Sequence, residues 1–183
     1  MRTILGYGAS TMEGVGDPKG GFFKRLQTLH PEIRWVNLGV GGNTTRDMVA
    51  RMSACRQYAP YDIVVQLGCN DFPREREAPN PRRTTLAEYT ANLNTLLGTI
   101  RGERSLFVSS LRVSPEQTGV TWDTFELYMS AGIACAVNHG YELLDCYTEK
   151  KGKESALFAA DGLHFNSEAH QWMADEITKR LIA

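Results

Sequence analysis

Residues 2–11 read Arg-Thr-Ile-Leu-Gly-Tyr-Gly-Ala-Ser-Thr. The first seven form a short apolar run that does not alternate with polar residues and stops at a glycine. Such a run reads as a strand buried on both faces, the kind a parallel sheet needs. No hairpin turn follows it. A polar cluster, Ala9-Ser10-Thr11, follows instead, and then residues 21–30 carry Phe22, Leu26 and Leu29 at helical spacing.

The same strand-then-helix unit recurs along the chain. Strands are predicted over residues 33–38, 62–68, 105–111 and 141–144. Helices are predicted over 45–58 (Met48, Met52 and Cys55 on one face), 85–101, 121–138 and 167–182, the last capped near Asn166 or Ser167 with Glu168 in its first turn. Alternation with short links points to the α/β class: one three-layer α/β/α domain over residues 1–183 with a mostly parallel five-stranded sheet. In such sheets ligands bind beyond the carboxyl ends of the strands. The polar and glycine clusters fall there: residues 8–11 after the first strand, 39–45 after the second, 68–71 after the third. The loops 69–84 and 112–120 read as irregular and join the same rim.

Bulk properties exclude several classes. A net charge of −1 gives no field for nucleic acid. The chain opens without an apolar leader, and no apolar run is long enough to span a bilayer, so no membrane anchor is expected. Cys55, Cys69, Cys135 and Cys146 form no CxxC pair, which points to reduced thiols and a cytoplasmic setting. The histidines have no metal-ligand spacing, so no metal is expected. Gly6-Tyr-Gly8 lacks the third glycine of a dinucleotide fingerprint, since Thr11 stands there. Residues 14–21 lack the ending of a phosphate-binding P-loop, and no GxSxG is present. No organic cofactor is expected.

What remains is an ordered constellation: Gly8-Ala9-Ser10-Thr11, Asn37 through Gly42-Asn43-Thr44, Gly68-Cys69-Asn70-Asp71, and Asp161-Gly162-Leu163-His164-Phe165-Asn166. In order and spacing these four blocks resemble the SGNH (GDSL-type) serine hydrolases, over nearly the whole chain. The resemblance implies a flavodoxin-like fold and hydrolysis of a small ester or thioester through an acyl-enzyme. Ser10 would be the nucleophile, His164 its base and Asp161 the group that fixes the imidazole tautomer. A serine hydroxyl needs such a base, and histidine ordinarily titrates close to working pH. The oxyanion would be held by the backbone N–H of Ser10, the N–H of Gly42 and the side-chain amide of Asn70. Gly42 is chosen over Gly39 and Gly41 because it precedes Asn-Thr.

Three positions depart from the family pattern: Ala9 where an aspartate is usual, Phe165 where proline is frequent, and Ala169 where glycine is frequent. Ala9 leaves two rivals to a hydrolase: a binding module with weakened catalysis, and an acyltransferase using the same triad. Asp71 reads as a structural brace and Cys69 as a buried, inert thiol. The charged run from Arg74 through Arg76 to Arg82 and Arg83 reads as a solvated loop. Phe165, Trp122 and Phe125 read foremost as core.

Overall fold

In a computed structural model, which describes residues 1–75, 77, 78 and 80–182, the five strands are β1 (Thr3–Gly8), β2 (Arg34–Gly39), β3 (Asp62–Gln66), β4 (Ser105–Val108) and β5 (Glu142–Leu144). They form one sheet in the order β2-β1-β3-β4-β5, and every pairing is parallel. The sheet is thus wholly parallel where a mostly parallel one is expected. Strand β1 is buried along its length, as its unbroken apolar run requires.

Among the described residues, eight α-helical segments connect and flank the strands: α1 (Ser10–Glu13), α2 (Gly21–Leu29), α3 (Thr45–Arg51), α4 (Leu86–Thr99), α5 (Pro115–Thr118), α6 (Trp122–Asn138), α7 (Cys146–Glu149) and α8 (Ser167–Ile177). Pleating sends alternate side chains to opposite faces. Leu5, Tyr7, Ile63, Val65 and Phe107 pack with Met48, Leu93, Leu96, Phe125 and Met129 of α3, α4 and α6. Ile4, Val64, Leu106 and Val108 pack with Met12, Phe22, Leu26, Met173 and Ile177 of α1, α2 and α8. The result is the three-layer α/β/α arrangement.

Local signals account for the helix starts. Thr85 and Thr121 accept the N–H of Glu88 and Thr124, and Asn166 accepts those of Glu168 and Ala169. Thr44 and Asp47 make a reciprocal capping box at α3.

The structure departs from expectation in several segments; the strand expected over 105–111 ends at Val108, and the short helix α7 is not anticipated. The helix expected over 45–58 ends at Arg51 and continues as a 3₁₀ turn, Met52–Tyr58, which stops before Pro60. The helix expected to reach 182 becomes a wider π turn, Thr178–Ile182, whose carbonyls at Arg180 and Leu181 are taken by Arg2 and Arg104 rather than by helical N–H groups. The loop 112–120 is not irregular. Pro115 and Gly119 bracket the one-turn helix α5, a proline-first, glycine-last signature readable in the sequence.

Candidate active site

The sheet order explains why distant blocks meet. Strand β1 lies between β2 and β3, and the chain leaves β1 in opposite directions across the sheet, so a crevice opens at their carboxyl ends. Ser10 follows β1, the Gly39–Gly42 glycines follow β2, and Asn70 follows β3. A Cβ placed on Gly41 would lie 3.9 Å from Ser10 Cβ, so the second block stands beside the nucleophile candidate.

Ser10 opens α1 and is half-buried. Its carbonyl accepts the N–H groups of Gly14 and Val15 at 2.9 and 3.0 Å. The chain then passes Gly16, which has φ +90°. A Cβ there would sit 2.7 Å from His164 Cβ, so this position has room only for glycine. Through this close approach the loop that starts at Ser10 packs directly on His164, although almost the full length of the chain separates the two.

His164 Nδ1 lies 2.6 Å from Asp161 Oδ2. The other carboxylate oxygen accepts the backbone N–H groups of Leu163 and His164 at 3.0 and 2.9 Å. Partial burial pushes the Asp161 carboxyl upward, but the His164 and Leu163 N–H groups outweigh it and hold the carboxyl below its ordinary value. An ionised Asp161 beside Nδ1 puts the ring proton there and leaves Nε2 as the basic nitrogen. Among the described residues no hydrogen bond joins the Ser10 hydroxyl to the His164 ring.

The three candidate glycines differ in what their N–H groups do. That of Gly39 is bound to Asn37 Oδ1 at 2.8 Å and that of Gly41 to Glu13 Oε2 at 2.6 Å. Gly42, at φ +74°, has its carbonyl held by Arg82 at 2.7 Å. The Asn70 amide donates one hydrogen to the Asn43 carbonyl at 2.9 Å, and its second N–H remains for another acceptor.

Several braces escaped sequence reasoning. Arg51 donates from Nε to Asn43 Oδ1 (2.6 Å), and its two terminal nitrogens donate to the Leu38 and Gly8 carbonyls (2.8 Å each). One guanidinium thereby ties the ends of β1 and β2 to the loop holding Gly42. Arg83 donates to the Asn70 carbonyl at 2.6 Å and pairs with Glu77 at 2.8 Å. Arg83 is therefore a half-buried tie and not part of a merely solvated run, whereas Arg82 holds the Gly42 carbonyl from the exposed surface the sequence suggests; Arg76 lies outside the described residues. Only tertiary contact marks these arginines, and no spacing in the sequence singles them out.

The other expectations sort cleanly. Asp71 accepts Thr45 N–H (2.9 Å), Thr45 Oγ1 (2.6 Å) and Thr84 Oγ1 (3.1 Å), which makes it a brace. Cys69 is buried, and burial pushes its thiol up to about 11, so it holds no thiolate at neutral pH. Phe165 and Phe125 are core. Trp122 is not: it is 52% exposed, because Phe125 takes the inward-facing position of this helix. His170 is fully buried, accepts the Phe22 N–H at 3.1 Å, and burial lowers it to about 4, so it stays neutral and structural.

The sequence profile of the GDSL-like lipase/acylhydrolase family matches residues 6–172. The chain belongs to that family. An acetylxylan esterase of Geobacillus stearothermophilus is 36% identical over 77 residues, a match that spans 39% of this chain and 35% of that enzyme. A lipase/acylhydrolase of Enterococcus faecalis has the same fold at TM-score 0.81, with 18% identity, 98% of this chain and 97% of that one covered. A structure of an acetylxylan esterase from Geobacillus stearothermophilus superposes at TM-score 0.78 with 21% identity over 100% of this chain and 94% of its own. The fold expected from the sequence is the one these hydrolases share. Among the described residues no helix is long and apolar enough to cross a membrane.

Proposed function

We propose that this chain hydrolyses small carboxylic esters or thioesters through a Ser10 acyl-enzyme. The observation that carries the reading is the Asp161–His164 pair at 2.6 Å, docked by Gly16 against the loop that begins at Ser10. In this reading His164 Nε2 takes the Ser10 proton as Oγ attacks the carbonyl carbon. Asp161 holds the tautomer and stabilises the imidazolium. The negative oxygen of the tetrahedral intermediate lies between the N–H groups of Ser10 and Gly42 and the free N–H of Asn70. His164 then passes its proton to the leaving group as the ester bond breaks; a water gives its proton to Nε2 and attacks the acyl carbon, and the Ser10 Oγ–acyl bond breaks as Oγ takes that proton back, releasing the acid.

The engagement of Gly39 and Gly41 by Asn37 and Glu13 supports Gly42 as the backbone donor. The short match to an acetylxylan esterase agrees with a small acyl group. The decisive test is labelling with a fluorophosphonate probe and mapping of the modified peptide. The peptide carrying Ser10 is expected to be modified. Ser10→Ala is expected to lose at least ~10³-fold in p-nitrophenyl acetate turnover with an unchanged melting curve. Labelling elsewhere, or an active Ser10→Ala protein, overturns the proposal.

A further inference from the structure

Nothing in local connectivity fixes the gap between Ser10 and His164, so contacts across the fold must set it. One of those contacts is a stop. A Cβ on Gly16 would sit 2.7 Å from His164 Cβ and 3.1 Å from the Phe165 carbonyl oxygen, so the loop after Ser10 already stands at its closest approach to the base segment. A stop limits approach and does nothing against separation.

Asp17, the next residue, supplies the opposing restraint. Its side chain is wholly buried, and its two oxygens take four donors. Oδ1 accepts the Lys19 N–H at 3.2 Å and the Ser167 hydroxyl; Oδ2 accepts the Gly21 N–H at 3.1 Å and Arg25 Nη2 at 2.7 Å. These donors come from three segments: the loop itself, the start of α2 and the first turn of α8. Ser167 stands three residues after His164, directly behind the Asn166 cap of α8. Arg25 reinforces the crossing, because the Nη2 that pairs with Asp17 also reaches the carbonyl and hydroxyl oxygens of Ser167 at 3.3 Å each. On the other side the loop is bonded to the nucleophile residue. The Ser10 carbonyl takes the Gly14 and Val15 N–H groups, and the Gly14 carbonyl takes the Asp17 N–H at 3.3 Å. A continuous set of bonds therefore runs from Ser10 through Asp17 to the residue behind the base.

A desolvated ion pair is a poor source of net stability, since stripping water from both ions cancels much of their attraction. Four bonds to one carboxylate supply direction instead. Burial pushes the Asp17 carboxyl up, but Ser167, the Lys19 N–H and Arg25 outweigh it and hold it at about 2, so the junction keeps its charge wherever an imidazole can act as a base. Gly16 limits how near the loop comes to the base, and Asp17 limits how far it moves away. We propose that Asp17 is a positioning residue that, through Ser167, holds the segment carrying the nucleophile at a fixed distance from His164. The inference rests on the Ser10 esterase reading and adds the group that sets its nucleophile–base gap.

The experiment measures p-nitrophenyl acetate kinetics and the second-order rate of fluorophosphonate labelling in the wild type, Ser167→Ala, Asp17→Asn and Gln171→Ala. All are compared at a temperature where circular dichroism shows each protein folded. Ser167→Ala removes one hydroxyl and leaves Asp17 its other three donors. A displacement of ~1 Å costs ~10²-fold in rate, so a shift of a fraction of that is expected to lower kcat roughly 5–20-fold with KM within about threefold. The labelling rate is expected to fall in parallel. Asp17→Asn sets an amide where Arg25 needs an anion and is expected to lose more rate and to melt lower; Ser167→Ala decides alone if that protein does not fold. Gln171→Ala removes the other partner of Arg25, 3.0 Å from Nη1, without touching Asp17, and is expected to keep kcat within twofold of wild type. A kcat within twofold of wild type in Ser167→Ala, or a fall of the same size in Gln171→Ala, overturns the positioning role and leaves the esterase reading standing. A wild type that neither turns over the ester nor takes the label overturns the esterase reading, and the positioning role with it.

Discussion

Replacing Arg51 with lysine tests whether the elements holding the oxyanion donors are a single braced unit. Arg51 reaches Gly8, Leu38 and Asn43 with three bonds of 2.6–2.8 Å and lies with its guanidinium carbon 4.3 Å from the Tyr7 ring centroid. A lysine supplies one point charge and no planar fork, so it can keep one of these contacts and must give up two. A hydrogen bond from a charged group contributes ~1.5–3 kcal/mol. Arg51 is half-buried and water can replace part of what is lost, so about half of the two-bond sum remains, ~1.5–3 kcal/mol. For a chain of this length that lowers Tm by ~3–12 °C.

The effect on rate follows from which atoms lose their tether. Gly8 stands two residues before Ser10, and Asn43 follows Gly42 and receives the Asn70 amide on its carbonyl. All three proposed donors of the oxyanion site loosen together. Displacements of up to ~1 Å cost ~10²-fold in rate, so kcat for p-nitrophenyl acetate is expected to fall ~10–100-fold in Arg51→Lys, with KM moving less than ~3-fold. The assay is steady-state kinetics at a temperature where circular dichroism shows both proteins fully folded. A Tm loss of the expected size with kcat within twofold of wild type refutes the reasoning: Arg51 would then stabilise the fold without positioning the donors.

Two further outcomes follow from the ionisable groups. His170 titrates at 6.5 ordinarily and at about 4 in the fold, so between those values the unfolded chain binds the extra proton and stability rises with pH. The contribution is complete above ~6.5 and is lost as pH falls to ~4, ~3 kcal/mol in all; urea midpoints of wild type and His170→Gln measured from pH 4 to 7 should diverge in slope, and parallel curves would count against the assignment. Asp17, held near 2 against burial by Ser167, the Lys19 N–H and Arg25, acts only below its ordinary 3.8 and does not blur that window. Asp161→Asn keeps the shape of the base loop but offers an amide to His164 Nδ1, so kcat should fall by ~10³–10⁴ with KM little changed; a loss under tenfold would remove Asp161 from the mechanism.

The parts of the proposed site that lie immediately after a strand are legible in the sequence, because an apolar run ending in glycine marks both the strand and the rim where it ends. Ser10, Gly42 and Asn70 follow that rule, and Asp161 and His164 sit just before a helix whose Asn166 cap is itself a local signal. The braces were not readable. Within the helix expected over 45–58, Arg51 looks like an ordinary charge on the polar face, and only the parallel neighbouring of β1 and β2 brings the Gly8 and Leu38 carbonyls within its reach. Trp122 misled for a related reason. Aromatic composition argues for burial, but the inward position of α6 belongs to Phe125, three residues on, and sequence alone does not choose between the two.

Ala9 is where the family resemblance is weakest, and the geometry around it bears on whether the departure matters. The side chain is 3% exposed and gives α1 no cap. The turn is held instead through its backbone and neighbours. The Ala9 carbonyl accepts the Glu13 N–H at 3.0 Å, the Asn37 amide donates to the Met12 carbonyl at 2.8 Å, and the Glu13 carboxylate takes the Gly41 N–H. Arg51 fixes Gly8 on the other side. Apart from the Ala9 carbonyl bond, these ties reach the Ser10 turn from β2, from the glycine loop and from α3, three directions that make no use of a side chain at residue 9. A loop fixed from three sides has little need of a buttress on a fourth. The alanine is therefore compatible with a working nucleophile, which argues for a hydrolase over a scaffold that has lost its chemistry.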